Sequence, residues 1–234
     1  MELTPNEGKK CIIEVDGARY ERLPIKTHLI TDKDDIVEVA QQYGAPVLSQ
    51  PGDVLFITEK IVACTQGRAI PLKDIHPRKL AYWLSDKVTK TPHGIGLGMP
   101  ETMEYALREV GVLRILFAAA VSVIGKKIFK KKGWFYDVAG YKARSIDGPC
   151  HNTIPPYNQC VVLGPLEPDK VACQIKEKIG YDVLIADIND LEGQILGASS
   201  KELDKKLYAR ILKDNPLGQD RQQTPMGIIR KVVD

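Results

Sequence analysis

Two runs of apolar, strand-forming residues, 54–58 and 183–186, have the continuous hydrophobicity of strands that are buried on both faces. The second run leads into Asp187, and the segment 188–193, with its Asn, Asp and Gly, predicts a turn. Ligands in open α/β sheets bind just beyond the carboxyl ends of strands, so Asp187 is a candidate carboxylate for a metal or phosphate site. A solvated turn after a core strand is the alternative interpretation.

The pattern of the first half predicts a hairpin and a helix. An Asp-Gly dipeptide separates two strand-like runs, 11–15 and 18–22, which is typical of a hairpin turn. The segment 34–44 has an acidic start, apolar residues at helical spacing and a glycine at its end, and these features predict a helix. The run 59–68 alternates polar and apolar residues, and its polar groups are candidates to face a ligand.

The second half of the chain carries most of the candidate metal-binding and nucleotide-binding residues. A strand at 160–163, a helix at 168–175 and the strand that ends at Asp187 follow one another, which predicts a β-α-β unit. The segment 145–157 is rich in turn residues and in side chains that can bind metals, and a dense polar stretch, 215–225, precedes the last predicted strand.

The middle of the chain has two unusual segments. The Gly-rich loop 91–98 runs into Pro100, which predicts a helix start there, and its backbone N–H groups are candidates to bind an anion; a plain flexible loop is the alternative. The apolar stretch 110–124 is divided by Arg114 and is too short to span a membrane, so we expect core structure. Five lysines follow it, within residues 126–132. They form either a solvated connector or a contact for anionic lipid or another polyanion.

Composition excludes several classes of protein. The formal charge of +3 is too balanced for a dedicated nucleic-acid binder. The five dispersed cysteines lack any C-x-x-C spacing and favour a reducing compartment, and the first ten residues lack the apolar core of a signal peptide. We therefore expect a cytoplasmic protein that has no membrane span and binds no nucleic acid.

Four separated blocks, taken in order, resemble the coenzyme F420:L-glutamate ligase (γ-glutamyl ligase) family. The blocks are 52–62 with Gly67-Arg68, then Ile146-Asp147 before 154–156, then 183–187, and finally 217–220 with 224–226. The resemblance extends from about residue 23 over most of the chain. It implies an α+β fold with mixed sheets and packed helices, in one domain of residues 1–234. Possible subdomains at 1–90 and 134–234 would be joined by a helical segment, 91–133.

The same resemblance implies an activity and its cofactors. Family members join the amine of L-glutamate to a phospholactate-type carboxylate acceptor on a deazaflavin, with GTP as co-substrate and divalent metals. The resemblance thus implies GTP or ATP, Mg²⁺ or Mn²⁺, and a homodimer, which the apolar stretch 110–124 also favours. The implied metal ligands are Asp147, Asp187 and Gln219. The implied nucleotide-binding residues are Leu217, Gly218, Gln219, Asp220 and Thr224.

Amide formation from a carboxylate proceeds through an acyl phosphate, and phosphoryl transfer requires charge neutralisation. Lys60 and Arg68 are therefore candidate catalytic cations, with a surface role as the alternative for Lys60. The chain departs from the family pattern at three positions, which carry Glu59 for Ser, Cys64 for Lys and Cys150 for Asn.

Asn152 is the candidate to replace the missing asparagine at the nucleotide. The departures predict an acceptor other than the standard deazaflavin. Two alternatives remain open: a nucleotide-binding module of the same fold without ligase activity, and a thiol enzyme that uses Cys150 as its nucleophile.

Overall fold

The computed structural model describes residues 3–88, 96–127, 130, 133–188, 193–218 and 221–232. The chain divides into two compact units, Met1–Gly67 with Pro165–Asp234, and Arg68–Gly164. We call these the sheet unit and the inserted unit. The prediction of a single domain with possible subdomains at 1–90 and 134–234 stays a prediction.

The strands, in chain order, are β1 (Ile12–Val15), β2 (Ala18–Ile25), β3 (Val54–Thr58), β4 (Ala69–Pro71), β5 (Cys160–Val162), β6 (Asp182–Ile188), β7 (Gly193–Ala198) and β8 (Met226–Lys231). The sheet unit contains a six-stranded sheet in the order β1-β2-β8-β3-β6-β7, and the inserted unit contains the antiparallel pair β4-β5. Within the six-stranded sheet, β3 and β6 are parallel, and the other neighbouring pairs are antiparallel.

The helices are α1 (Ile36–Val39), α2 (Glu59–Thr65), α3 (Lys79–Ser85), α4 (Pro100–Glu109), α5 (Val112–Lys127), α6 (Trp134–Ala139), α7 (Tyr141–Arg144), α8 (Pro168–Ile179) and α9 (Lys205–Ile211). A π-helical turn, Ala40–Gly44, continues α1. The mixed sheet and its packed helices confirm the predicted α+β class.

The central strands of the sheet unit are buried on both faces. Leu55 and Ile57 of β3 pack with residues of α1, α2 and α8 on one face. Phe56, between them in sequence, points to the opposite face and packs with residues of α9. Successive side chains of a strand point to opposite faces, so helices on both sides explain the continuous apolar runs that predicted β3 and β6.

The inserted unit has a helical core of its own, to which Leu107 of α4, Ile115 of α5 and Val161 of β5 contribute. Glu104 of α4 is buried and forms ion pairs with Arg78 and Arg108. This network ties the start of α3 to α4.

Several local predictions are confirmed. Asp16 and Gly17 form the turn between β1 and β2, with φ angles of 54° and 74°, and Val15 pairs with Ala18 across it. A helix follows Asp35, whose side chain caps it, and α4 begins at Pro100 as predicted.

The run 59–68, for which no secondary structure was predicted, begins with α2 directly after β3. Two predictions are wrong, the second of them only in part. The predicted β-α-β unit is not one unit, because β5 pairs with β4 in the small sheet whereas β6 has β3 as its parallel neighbour. The stretch 110–124 is only partly core: α5 buries Ile115 and Ala118 but exposes the opposite face.

Within the part of the chain that the structure describes, no helix is both long enough and apolar enough to cross a bilayer.

Candidate active site

Four strand ends meet at one edge of the six-stranded sheet. Because β3 and β6 are parallel, with Thr58 paired to Ala186, their carboxyl ends lie side by side. The start of β8 lies at the same edge, since the backbone N–H of Thr58 donates to the carbonyl of Pro225 (3.0 Å). The end of β2 joins them, because Ile25 pairs with Met226, the first residue of β8. We call this the catalytic edge.

Two predicted site residues lie at the catalytic edge on neighbouring strands. Asp187 follows Ala186 in β6 and is half-buried. Lys60 lies in the first turn of α2, two residues after Thr58, and is exposed. Since neighbouring strands lie about 4.8 Å apart, the fold brings a carboxylate and an amine to adjacent strand ends.

Side-chain hydrogen bonds join residues of the predicted nucleotide-binding loop to one another just before β8 begins at this edge. The Thr224 hydroxyl donates to the carbonyl of Leu217 (3.0 Å), which is buried. The Asn215 amide donates to the carbonyl of Gly218 (3.0 Å), and Gly218 has a φ of 74°, which favours glycine. Leu217, Gly218 and Thr224 therefore lie close together, just before β8 begins.

Sequence reasoning missed two features of this edge. Asn6 donates to both the Leu217 carbonyl (2.9 Å) and the Thr224 hydroxyl (2.8 Å), although the N-terminal segment carried no recognisable motif. Lys26 follows the end of β2 and is exposed, so it is a second amine at the catalytic edge. Its position directly after a strand was the available signal, but only the pairing of β2 with β8 shows which edge that strand reaches.

His28, just beyond Lys26, is held by two contacts. Its Nδ1 lies 2.8 Å from the Tyr43 hydroxyl, and its Nε2 lies 3.0 Å from the Asp34 carboxylate. The backbone N–H of Thr31 and the hydrogen bond from His28 lower the pKa of Asp34. An ionised Asp34 thus fixes the segment that leaves β2.

Three predicted residues lie in the inserted unit. Arg68 is mostly buried, and its guanidinium donates to the Gly164 carbonyl (2.6 Å) and to the Glu109 carboxylate (2.6 Å). Asp147 forms a backbone bridge with Val162 and is half-buried. Asn152 is exposed, as is Cys150 of the thiol alternative.

The shared metal site of Asp147 and Asp187 stays a prediction, because the two residues belong to different units. Gln219, Asp220 and most of the Gly-rich loop 91–98 lie outside the described residues.

The described residues contain no group of three or more His, Cys, Asp or Glu side chains placed to hold a metal ion. Mg²⁺ commonly takes only one or two protein carboxylates and completes its shell with water and substrate phosphate oxygens. An oxygen donor such as Asp187, half-buried at a strand end, fits a site of that kind.

One family model, described as F420-0:Gamma-glutamyl ligase, matches residues 24–196. The match contains Lys60, Arg68, Asp147, Asn152 and Asp187, and it ends before the loop that carries Leu217 and Thr224. No curated protein sequence matches the chain significantly.

Proposed function

Because the chain belongs to the F420-0:gamma-glutamyl ligase family, we propose that it is a nucleotide- and divalent-metal-dependent enzyme that forms an amide bond to L-glutamate. The family supports γ-glutamyl ligase activity with glutamate and an F420-type acceptor. The proposal adds GTP or ATP as co-substrate, an acyl phosphate intermediate, and the catalytic edge as the place of phosphoryl transfer.

The observation that carries the proposal is the convergence of chemically different groups at the catalytic edge. Thr58 pairs with Ala186 on one side and bonds Pro225 on the other, so the segments that carry Lys60, Asp187 and Thr224 are neighbours. An amine, a carboxylate and a hydroxyl-bearing loop are the groups that a phosphorylated substrate and its metal require.

The chemistry assigns each group a task. The acceptor carboxylate attacks the γ-phosphorus of the nucleotide, the bond to the β-phosphate oxygen breaks, and an acyl phosphate and a nucleoside diphosphate result. The amine of glutamate then attacks the acyl carbon, loses a proton and displaces inorganic phosphate. Lys60 and Lys26 would neutralise phosphate charge in the first step, and the loop 215–225 would hold the nucleotide.

A divalent metal, when bound, would supply positive charge that stabilises the phosphoryl group during its transfer. Asp187 would hold it from the sheet unit, and Asp147 and Gln219 are the further ligands that the family resemblance implies. The role of the chain's own residues would be to supply oxygen ligands and to orient the phosphate.

Two of the departures from the family pattern are buried. Cys64 has 6% of its surface exposed within α2, and Glu59 opens the same helix with 6% exposed. A buried thiol does not supply the positive charge that the family lysine would bring. This observation favours the second candidate function, a nucleotide-binding module without ligase activity.

The test is a phosphate-release assay with Mn²⁺, each nucleotide and L-glutamate, run without an acceptor, with the standard deazaflavin acceptor, and with other phospholactate-type carboxylate acceptors. We expect phosphate release only with an acceptor, together with a product whose mass has increased by one glutamyl residue. Asp187→Asn should lower phosphate release by roughly a hundredfold or more, whereas Asp182→Asn, the same change at the other end of β6, should not. Nucleotide binding without product under all conditions would favour the module, and no nucleotide binding would exclude both functions.

The same assay tests the prediction of a changed acceptor. Efficient glutamylation of the standard deazaflavin would show that prediction to be wrong and leave the ligase proposal intact.

A further inference from the structure

The helix α5 of the inserted unit has an apolar face that is open to solvent. Its exposed apolar side chains recur at helical spacing, so they form one stripe along the helix. They are Leu113, Leu116, Phe117, Ala120, Val123 and Ile124. Leu113 is 84% exposed and Phe117 is 62% exposed, values that are high for large apolar residues in a folded chain.

The other face of α5 packs in the core of the inserted unit. Ile115 and Ala118 are fully buried there, and a side chain at Gly125 would collide with Trp134 of α6, with its nearest ring atom at 2.8 Å. The stripe is therefore the outer face of a helix with a fixed orientation. At 1.5 Å per residue it is about 16 Å long.

Positive charge accompanies the apolar stripe. Five lysines follow within residues 126–132, and Lys130 is exposed. Arg114 is exposed beside the stripe, and its Nε donates to the carbonyl of Val138 (2.8 Å).

The inserted unit as a whole is basic. It has fifteen basic and seven acidic side chains, a formal charge of +8, whereas the sheet unit has eighteen basic and twenty-three acidic side chains, a formal charge of −5.

We propose that α5 lies in the interface of an anionic lipid bilayer, with its apolar stripe at the acyl-chain boundary and the lysines that follow it near lipid phosphates. An interfacial helix buries its apolar face about 5 to 10 Å into the headgroup region and gains further affinity from anionic lipid. The inference does not depend on the ligase activity.

The charge pattern favours a bilayer over a second copy of the chain. A lysine run beside an apolar helix matches an anionic lipid surface, which offers apolar and negative groups together. Six partly exposed side chains also present less area than the about 800 Å² that each partner contributes to a stable protein interface. A bilayer has no such minimum area.

The first experiment is co-sedimentation of the full chain with phosphatidylcholine vesicles, with and without phosphatidylglycerol. We expect binding to the anionic vesicles that weakens as salt is raised, because the lysine contribution is screened. Leu113→Glu combined with Phe117→Glu should reduce binding at least tenfold. The matched control is Leu166→Glu, an exposed leucine of the sheet unit, which should leave binding unchanged. Circular dichroism checks that each variant is folded.

A second set of variants tests the contribution of the lysines to vesicle binding. Replacing Lys126, Lys127 and Lys130 with Gln should weaken binding roughly fivefold for each lysine removed. The same change at Lys201, Lys206 and Lys213 of the sheet unit should have little effect. Equal losses from both sets would show a non-specific charge effect and would overturn the proposal.

A further variant adds a fluorescent reporter to α5 and does not disrupt its apolar stripe. Phe117→Trp keeps the aromatic character of the stripe, and its added fluorescence should be quenched by brominated lipid in anionic vesicles. Binding without quenching would place α5 outside the bilayer and overturn the proposal. A second result would also overturn the proposal. In that result the protein does not bind vesicles, light scattering shows a dimer, and the Leu113→Glu, Phe117→Glu double variant is a monomer.

Discussion

The two units bury their apolar residues to different extents. In the sheet unit, helices cover both faces of the central strands, and Phe56 and Leu184 are fully buried. In the inserted unit, the most apolar helix buries one face and leaves the other open. A long apolar run in the sequence thus has two outcomes, depending on whether the fold places neighbours on one side of it or on both.

The units also differ in charge, and the difference matters for function. The sheet unit is acidic, with a formal charge of −5, although we propose that it binds the anionic phosphates of a nucleotide. Local cations must offset this charge, which is why Lys26, Lys60 and a divalent metal are central to the proposal. The charge of +3 for the whole chain conceals the contrast.

The largest effect that we expect on stability comes from the core of the sheet unit. Phe56→Ala removes a fully buried ring and should lower the free energy of unfolding by about 3 to 5 kcal/mol. Leu113→Ala, on the open face of α5, should change it by less than about 0.5 kcal/mol. Urea denaturation measures both values. A large loss from Leu113→Ala would show that its side chain is covered in the native protein, and the comparison would fail.

The next effect is on activity. Asp187→Asn should lower kcat/KM by roughly a hundredfold or more, since a bound metal supplies several kcal/mol of transition-state stabilisation. The thermal midpoint without ligand should stay within a few degrees of the wild-type value, as about 1 kcal/mol would shift it by 2 to 4 °C. Melting scans with and without Mn²⁺ and nucleotide separate the two effects. Full nucleotide stabilisation of Asp187→Asn would argue against its role as a metal ligand.

A smaller loss is expected for the amine at the same edge. Lys60→Met should reduce kcat/KM roughly ten- to a hundredfold, the equivalent of one charge-assisted hydrogen bond of about 1.5 to 3 kcal/mol. Lys206→Met, the same substitution on α9, is the control and should leave kcat/KM unchanged. Unaltered turnover by Lys60→Met would make Lys60 a surface residue, as its exposure also allows.

The smallest expected effect is on the stability of the inserted unit at acidic pH. Burial raises the pKa of the Glu104 carboxyl, but hydrogen bonds from Arg78 and Arg108 lower it by more, so the pKa lies below its usual value. The resulting stability is present above the unfolded-state pKa of about 4.3 and is lost as the pH falls through the lower folded-state pKa.

Glu104→Gln should therefore cost about 1 to 2 kcal/mol at neutral pH and flatten the acid decline of stability below about pH 4. Glu101→Gln on the same helix is the control. Parallel pH profiles for Glu104→Gln and the wild-type protein would contradict the assignment of this decline to Glu104.

Local sequence signals predicted local structure well. The Asp-Gly turn, the helix start at Pro100 and the buried strands β3 and β6 each depend on residues close together in the chain. Errors arose where structure depends on distant partners. The pairing of β5 with β4 and the exposure of α5 are set by tertiary contacts that hydrophobic periodicity does not encode.

The candidate site shows the same division. Asp187 was identifiable because it follows a buried apolar run, and Lys60 because it falls in the family block 52–62, just after the buried strand that this block contains. Asn6 was missed because its contacts with Leu217 and Thr224 span more than two hundred residues of sequence. The joint placement of these residues follows from the order of the strands in the sheet, which no single segment determines.

The interrupted course of the sheet unit has a consequence for synthesis on the ribosome. Both neighbours of β3 in the sheet, β6 and β8, come from the chain after residue 164, whereas every residue of the inserted unit precedes that point. Translation from the N-terminus therefore completes every residue of the basic inserted unit before β6 and β8 have been synthesised. We expect the inserted unit to fold first, with the apolar stripe of α5 already exposed, while β3 has neither of its neighbouring strands. Limited proteolysis of stalled nascent chains would show this order as protection of residues 68–164 before residues 12–58.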